Sequence, residues 1–341
     1  MTAQGVSTST LKQLQLARNG MILHQAMCAA AKLGVADLIE KSEGTTAELA
    51  RALKVNEDML YRLLRALAGE GVFDEYSPRS FRNSQLSRSL CDDSPGSLRP
   101  FYLFWGTEFY YRSLGELVHS IRTGDPAIGK VLGMNEWEYM RQNPEMAAIF
   151  DNAMTSNASL TGPAVAEAYD FGRWESIMDV GGGHGILLAN ILRRHTSLSG
   201  VLADQPDVLE RARQRGFFNG ELATRILMQD CDFFRDVPSG CRAYMMKSVI
   251  HDWDDEKAHQ ILMNCRRAVP DDGVFLLVEC ELTEPNLPSP GKLIDLVMMV
   301  LTGGKERNFG EYERLLGRAG FRLNKVIPTA SEVTIIEAFP V

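Results

Sequence analysis

A chain of 341 residues with 45% hydrophobic and 23% charged side chains has room for about two globular domains, and this composition excludes disordered, collagen-like and coiled-coil classes. Its formal charge of −8, from 36 basic and 44 acidic side chains, repels phosphate backbones and argues against a dedicated nucleic-acid binder. No apolar run reaches the roughly 18–20 residues of a membrane span, Met1 to Thr10 carries no charged-then-apolar leader, and Cys28, Cys91, Cys231, Cys241, Cys265 and Cys280 form no CxxC pair. A cytoplasmic protein with reduced thiols, no membrane partner and no zinc site is the expectation.

In chain order, residues 11–40 carry a helical pattern that Gly34 interrupts. Thr45-Thr46-Ala47-Glu48 has the spacing of a capping box. A second helix is expected from Met59 to Ala68, with Leu60, Leu63, Leu64 and Leu67 on one face, and then a hairpin through Val72-Phe73 and Ser80–Asn83. Helix, turn, helix and hairpin outline a winged helix, which raises a transcription regulator as one reading. From Thr45 to Leu90, however, seven Lys/Arg face six Asp/Glu, a weak footprint for duplex DNA. A packing or dimerisation module is favoured.

Residues 95–170 read as helical and rich in large side chains, among them Phe101, Phe104, Trp105, Tyr110, Trp137 and Phe150. Met146, Phe150 and Met154 recur every four residues and so share a helix face. Core packing accounts for most of these positions. A flat apolar pocket for an aromatic ligand uses the same residue types, and Phe104 and Phe150 are candidates for it.

From Trp174 onward short β-rich runs alternate with helical patterns, which predicts parallel strands with crossover helices on both faces. Phe321–Val326 and Val333–Phe339 read as a final antiparallel pair at one edge. A boundary is expected near Thr161-Gly162-Pro163, giving three regions: 1–95, 96–168 and 169–341.

The strongest local signal is Asp179-Val180-Gly181-Gly182-Gly183-His184-Gly185 at a strand-to-helix junction. Glycines there let the backbone approach a ligand while helix N–H groups face it. The G-x-G-x-G spacing is one residue tighter than a dinucleotide fingerprint. Asp204, nineteen positions beyond Gly185, follows the next strand and suits the two hydroxyls of a ribose. Gln229-Asp230-Cys231-Asp232-Phe233-Phe234 follows the third strand, where a carboxylate and an aromatic ring can hold an adenine; turn capping explains one of the two aspartates equally well. An adenosine-containing cofactor accounts for the set. After the fourth strand comes Lys247-Ser248-Val249-Ile250-His251-Asp252-Trp253-Asp254-Asp255-Glu256. Helix capping explains Asp254, Asp255 and Glu256 but leaves His251 unexplained. A metal site of His251 with Asp252, Asp254 and Asp255 is the weaker alternative.

These blocks, with Val278-Glu279-Cys280 and Gly303-Gly304-Lys305-Glu306-Arg307, stand in an order and at intervals that resemble the caffeate/acetylserotonin-type O-methyltransferase family over nearly the whole chain. The resemblance implies a Rossmann-like, doubly wound, seven-stranded methyltransferase domain behind an all-helical winged-helix-like dimerisation domain. It implies a homodimer, S-adenosylmethionine as cofactor with S-adenosylhomocysteine as product, and no metal. Carried over, Gly181 meets the methionine part, Asp204 the ribose, Asp232 and Phe233 the adenine, and Lys247 the cofactor's wall, with Gly183 a further cofactor-binding position. His251 becomes the general base, Glu279 and Glu306 hold its imidazole, and Met154 and Met298 clasp the acceptor ring. Leu301-Thr302 departs from the plant enzymes, which often carry Asn there, and points away from phenylpropanoids toward other phenolic or polyketide-like acceptors. An NAD-dependent oxidoreductase is the rival that Asp204 also suits.

Overall fold

The computed structural model describes residues 8–41 and 44–341, so the leader expectation for residues 1–7 lies outside the described residues. The chain forms two compact units that divide at Glu108/Phe109.

In the first unit, Gly34 adopts φ 69° and separates the helices Thr8–Leu33 and Val35–Lys41. The capping box is present: Glu48 N–H donates to Thr45 Oγ1 at 3.3 Å and Thr45 N–H donates to Glu48 Oε2 at 2.8 Å, starting the helix Thr46–Leu53. Asn56 caps the helix Glu57–Gly69, whose Leu60, Leu64 and Leu67 are buried. Strands β1 (Gly44–Thr45), β2 (Phe73–Ser77) and β3 (Ser80–Asn83) form a small antiparallel sheet in the order β1-β3-β2, which includes the expected hairpin. Met27, Val35, Ile39, Leu49, Leu64, Phe73 and Phe81 make its core. Phe104, on the helix Arg99–Trp105, belongs to this unit and is buried.

The second unit is built on seven strands: β4 (Ser176–Val180), β5 (Ser199–Asp204), β6 (Ile226–Asp230), β7 (Ala243–Lys247), β8 (Val274–Cys280), β9 (Phe321–Pro328) and β10 (Val333–Pro340). Their order is β6-β5-β4-β7-β8-β10-β9. The first five are parallel, and β10 enters antiparallel between β8 and the edge strand β9. Because side chains alternate along a strand, one face carries Met178, Val180, Tyr244, Met246, Phe275 and Leu277. The other carries Ile177, Leu202, Ala243, Met245, Leu276 and Val278. Helices cover both faces, so β8 is buried along its whole length.

The chain enters at β4, winds outward through β5 and β6, and returns to β7 on the other side of β4. The carboxyl ends of β4, β5 and β7 therefore flank a topological switch point, where ligands bind in open α/β sheets. Two local expectations change. The third strand runs Ile226–Asp230, so Gln229 and Asp230 end it rather than follow it. Thr161-Gly162-Pro163 is no break: it lies inside the continuous helix Pro144–Ala168, with Thr161 and Gly162 buried. A Cβ at Gly162 would come within 2.7 Å of Asn190 Nδ2, so glycine serves close helix packing here.

All six cysteines are free and buried. No single helix among the described residues is long and apolar enough to cross a membrane.

Candidate active site

The bend after β4 is held from both sides. Gly181 and Gly183 take φ 71° and 58°, and Gly185, at 79°, precedes the helix Ile186–Arg194. Gly181 N–H donates to Ala203 O and Gly183 N–H to Asp204 Oδ2, both at 2.8 Å. Asp204 Oδ1 accepts from Gln205 N–H at 2.7 Å. Asp204 thus fixes the glycine turn as well as ending β5. Burial pushes its pKa up to about 6 against those two donors. Beneath the bend Asp179 is buried, its Oδ2 has no hydrogen-bond partner, and burial with the nearby Asp204 raises it to about 7. A Cβ at Gly181 would meet Val249 at 3.0 Å and Phe233 at 3.5 Å, whereas one at Gly183 would meet nothing within 4 Å. The bend is therefore open above Gly183 and walled by Phe233 and Val249 beside Gly181.

Asp232 and Phe233 stand beyond β6. Asp232 is exposed, with Oδ1 accepting from Phe234 N–H at 3.1 Å and Oδ2 lying 3.3 Å from Arg235 Nε. It caps its own turn, while Asp230 ends β6 exposed. Lys247 ends β7 and donates to Asn157 Oδ1 at 2.5 Å; burial lowers its pKa although Glu279 and Asp179 oppose the shift. Phe150 and Met154 lie half-buried on the helix that carries Asn157, and Met298 half-buried on the helix Pro290–Leu301. Phe104 is not among these elements, since it belongs to the first unit.

His251 sits in a short 3-10 turn after β7 with its side chain only 13% exposed. Nδ1 lies 2.6 Å from Glu306 Oε1 and 3.8 Å from Glu279 Oε2. The two glutamates have different jobs. Glu306 holds the ring by hydrogen bond, and Glu279 accepts the Ile250 N–H at 3.2 Å, pinning the turn while adding charge. Burial disfavours the imidazolium, but Glu279, Glu306 and Asp252 outweigh it and push the pKa of His251 up to about 10. Burial likewise raises Glu279 to about 7. With Nδ1 occupied, Nε2 is the free nitrogen, and Asp252 Oδ1 lies 3.7 Å from it.

The composition of this turn conceals its main support. Arg307 is fully buried and donates to Asp255 Oδ1 at 2.9 and 3.0 Å, to Ile250 O at 3.1 Å, to Trp253 O at 2.8 Å and to Lys305 O at 3.2 Å. A Cβ at Gly304 would overlap the His251 carbonyl oxygen. The 303–307 segment therefore lies directly on the turn that presents His251. Sequence reading gives Arg307 no role, since a basic side chain has no local sign of burial. His184 is a second omission: its Nδ1 lies 2.7 Å from Thr155 Oγ1, and burial lowers its pKa to about 4. It ties the glycine bend to the helix Pro144–Ala168.

The metal alternative changes shape. Asp254 caps the next helix through Glu256 and Lys257 N–H groups, and Asp255 is engaged by Lys305 and Arg307, so neither converges on His251. The groups that do converge are His251, Glu279 and Glu306, with one ligand atom of each within 4.8 Å of the others.

Comparison with known proteins follows the same division of the chain. Residues 15–93 match an O-methyltransferase dimerisation domain and residues 111–322 an O-methyltransferase domain. A phenazine O-methyltransferase of Lysobacter antibioticus is 37% identical over 322 residues, 94% of each chain. The solved structure of an O-methyltransferase from neocarzinostatin biosynthesis, in complex with S-adenosyl-L-homocysteine and 1,4-dihydroxy-2-naphthoic acid, is 33% identical with a TM-score of 0.78 over 93% of this chain and 96% of that one. Human N-acetylserotonin methyltransferase, solved with S-adenosylmethionine, is 25% identical with a TM-score of 0.91, covering 100% and 99% of the two chains.

Proposed function

The chain belongs to the S-adenosylmethionine-dependent O-methyltransferase family, and from that premise we propose that it methylates a hydroxyl of a small aromatic natural product, with His251 as general base and no metal ion. The contact that carries this reading is the 2.6 Å hydrogen bond that His251 Nδ1 donates to Glu306 Oε1, which leaves Nε2 as the nitrogen available to take the acceptor's proton. Relatives named for phenazine and naphthoate substrates support a flat polycyclic phenol as acceptor.

The cofactor's residues are Gly181 and Gly183 at the methionine end, Asp204 at the ribose, Asp232 and Phe233 at the adenine, and Lys247 along the wall. When bound, S-adenosylmethionine supplies a methyl group on a cationic sulfur, an electrophile that needs no further activation. The protein's own task is to orient the acceptor oxygen and take its proton. An ordinary phenol has a pKa near 10. The carboxylates push His251 up to about 10, so its neutral ring is a stronger base toward a phenol than an ordinary imidazole, and a minor form at neutral pH. Glu306 fixes the ring and stabilises the imidazolium, as the buried acid does in a hydrolytic triad. Positioning of the two reactants supplies most of the remaining acceleration. Two ligands of one divalent ion at about 2.0–2.2 Å each stand farther apart than 2.6 Å, so the His251–Glu306 contact favours a shared proton.

Met154, Met298 and Phe150 complete the proposal as acceptor-pocket residues. Regions 1–95, 96–168 and 169–341 are its dimerisation, pocket and cofactor segments. Incubation with methyl-labelled S-adenosylmethionine and a panel of polycyclic phenols, with product mass measured, should give singly methylated products at rates unchanged by EDTA. His251→Gln should retain S-adenosylhomocysteine binding within about threefold while turnover falls at least about a hundredfold. Wild-type turnover in that variant, or loss of activity on chelation, refutes the base assignment or the metal-free reaction respectively.

A further inference from the structure

Three polar contacts hold one stretch of the helix Pro144–Ala168 from three directions. At the glycine bend, His184 Nδ1 lies 2.7 Å from Thr155 Oγ1. On the helix Pro206–Arg215, which opens two residues after Asp204, Arg211 Nε donates to Asp151 Oδ2 at 2.5 Å while its other end pairs with Asp207 at 3.0 Å. At the end of β7, Lys247 Nζ donates to Asn157 Oδ1 at 2.5 Å. The anchors thus follow β4 and β5 or end β7, the three strands that flank the switch point.

His184 is the anchor that the bend itself does not need. Gly181, Gly183 and Gly185 supply the positive φ angles and His184 has none, so the turn's geometry does not call for a histidine. Its imidazole is 4% exposed and reaches the helix instead. Burial keeps the ring neutral by lowering its pKa to about 4, and Arg215 and Arg211 add to the effect. Nε2 makes no hydrogen bond and lies 3.7 Å from the Asp151 carboxylate, which favours the proton on that nitrogen. Nδ1 is then the acceptor for the Thr155 hydroxyl, and enclosing so polar a ring is unfavourable unless that bond is kept. Asp151 and Thr155 are four residues apart on one stripe of the helix, and Phe150 and Met154 make the stripe beside it. Fixing the first stripe fixes the rotation of the helix about its axis, and with it the bearing of Phe150 and Met154. Farther along, Pro163 lacks the N–H that would bond the Ser159 carbonyl, so the helix ladder is weakened just past the anchored turns.

We propose that His184 is a positioning residue: through Thr155 it ties the helix bearing Phe150 and Met154 to the cofactor's glycine bend, so that filling the cofactor site orders the acceptor pocket. Gly183 and Gly185 flank the imidazole, so a cofactor that settles the bend settles the ring, and the acceptor then meets a helix already held. This role rests on the acceptor reading of Phe150 and Met154 above, but its cofactor half is measurable with no acceptor present.

Backbone hydrogen exchange is compared with and without saturating S-adenosylhomocysteine. In the native chain, binding should slow exchange across residues 150–158 by at least about fivefold, the low end of ordinary coupling between sites. Thr155→Val removes the hydroxyl without touching the bend. It should keep S-adenosylhomocysteine affinity within about threefold and the slowing at 181–185, while losing most of the slowing at 150–158. His184→Leu should do the same, and His184→Asn, whose amide can stand where Nδ1 stands, should restore part of it. The double variant of Thr155→Val with His184→Leu should lose no more than either alone. With S-adenosylmethionine saturating and a polycyclic phenol that the native enzyme methylates, Thr155→Val should raise the acceptor KM at least about fivefold, with a smaller fall in kcat. A purely structural loss speeds exchange in free and bound protein alike and leaves the slowing on binding intact. That result overturns the role, and so does a native chain in which binding leaves 150–158 unchanged. If no phenol is methylated while the exchange pattern holds, the oxygen-acceptor reading falls and the tie between bend and helix stands.

Discussion

His251 is an imidazole whose basicity is set by neighbours from three separate segments: Asp252 beside it, Glu279 at the end of β8 and Glu306 in the 303–307 segment. Burial works against them and loses. A group with its folded pKa raised from 6.5 to about 10 binds a proton more tightly when folded, so its contribution to stability is full below 6.5 and fades as pH climbs through about 10. The kinetic consequence has the same sign. The proposed general base is the neutral ring, which becomes more populated as pH rises, so kcat/KM should climb from neutral toward about 10 rather than level off near 6.5. Glu306→Gln removes the hydrogen-bonded carboxylate and should move that rising limb at least about one pH unit lower, while lowering its plateau through loss of ring orientation. A pH–rate profile checks this; a limb in the same place would mean that Glu306 does not tune the base.

Among elements, the pairing of the 250–253 turn with the 303–307 segment decides whether the site exists. Neither piece is regular structure long enough to hold itself. Arg307 replaces a hydrogen-bonded ladder by spanning three carbonyls and the Asp255 carboxylate with one rigid guanidinium. Removing it strands those acceptors in a dry environment. Arg307→Met should destabilise the protein by about 2–4 kcal/mol in urea unfolding, less than a fully buried ion pair because Asp255 remains half-exposed. The same variant should lower kcat by at least about tenfold with a smaller change in S-adenosylhomocysteine affinity, because the glycine bend is held by other contacts. Arg307→Lys should not rescue it, since an ammonium cannot serve four acceptors in that geometry. Equal losses in kcat and cofactor affinity would reduce Arg307 to a purely structural role.

At the scale of the whole molecule, the first unit carries the match to a dimerisation domain over residues 15–93. Its helix Thr8–Leu33 presents Leu11, Leu14, Leu16, Met21 and Ile22 at 48–72% exposure. Exposed apolar side chains of that kind favour association, and the homodimer we expect would bury them. Light scattering should give about twice 37.9 kDa for the native chain, and Met21→Glu with Ile22→Lys should give the mass of one chain. A native monomer, or a double variant that stays dimeric, would move the interface elsewhere.

Much of this protein is legible from its residues in order. Parallel-sheet architecture shows because buried strands read as short β-rich runs between amphipathic helices, and the glycine bend shows because its backbone angles demand glycine at fixed spacing. The ordered blocks from Asp179 to Arg307 identify the family, and the hydrophobic period locates most helices. Burial of polar groups is different, because a charged residue has no local signature that separates a solvated loop from a dry core. That Arg307 is fully enclosed and that Glu279 pins a backbone while Glu306 holds the ring are consequences of segments far apart in the chain meeting at the carboxyl ends of the strands. Local preference determined the elements and the cofactor's cradle. Only tertiary packing, by excluding water, decided which carboxylates became the partners of His251.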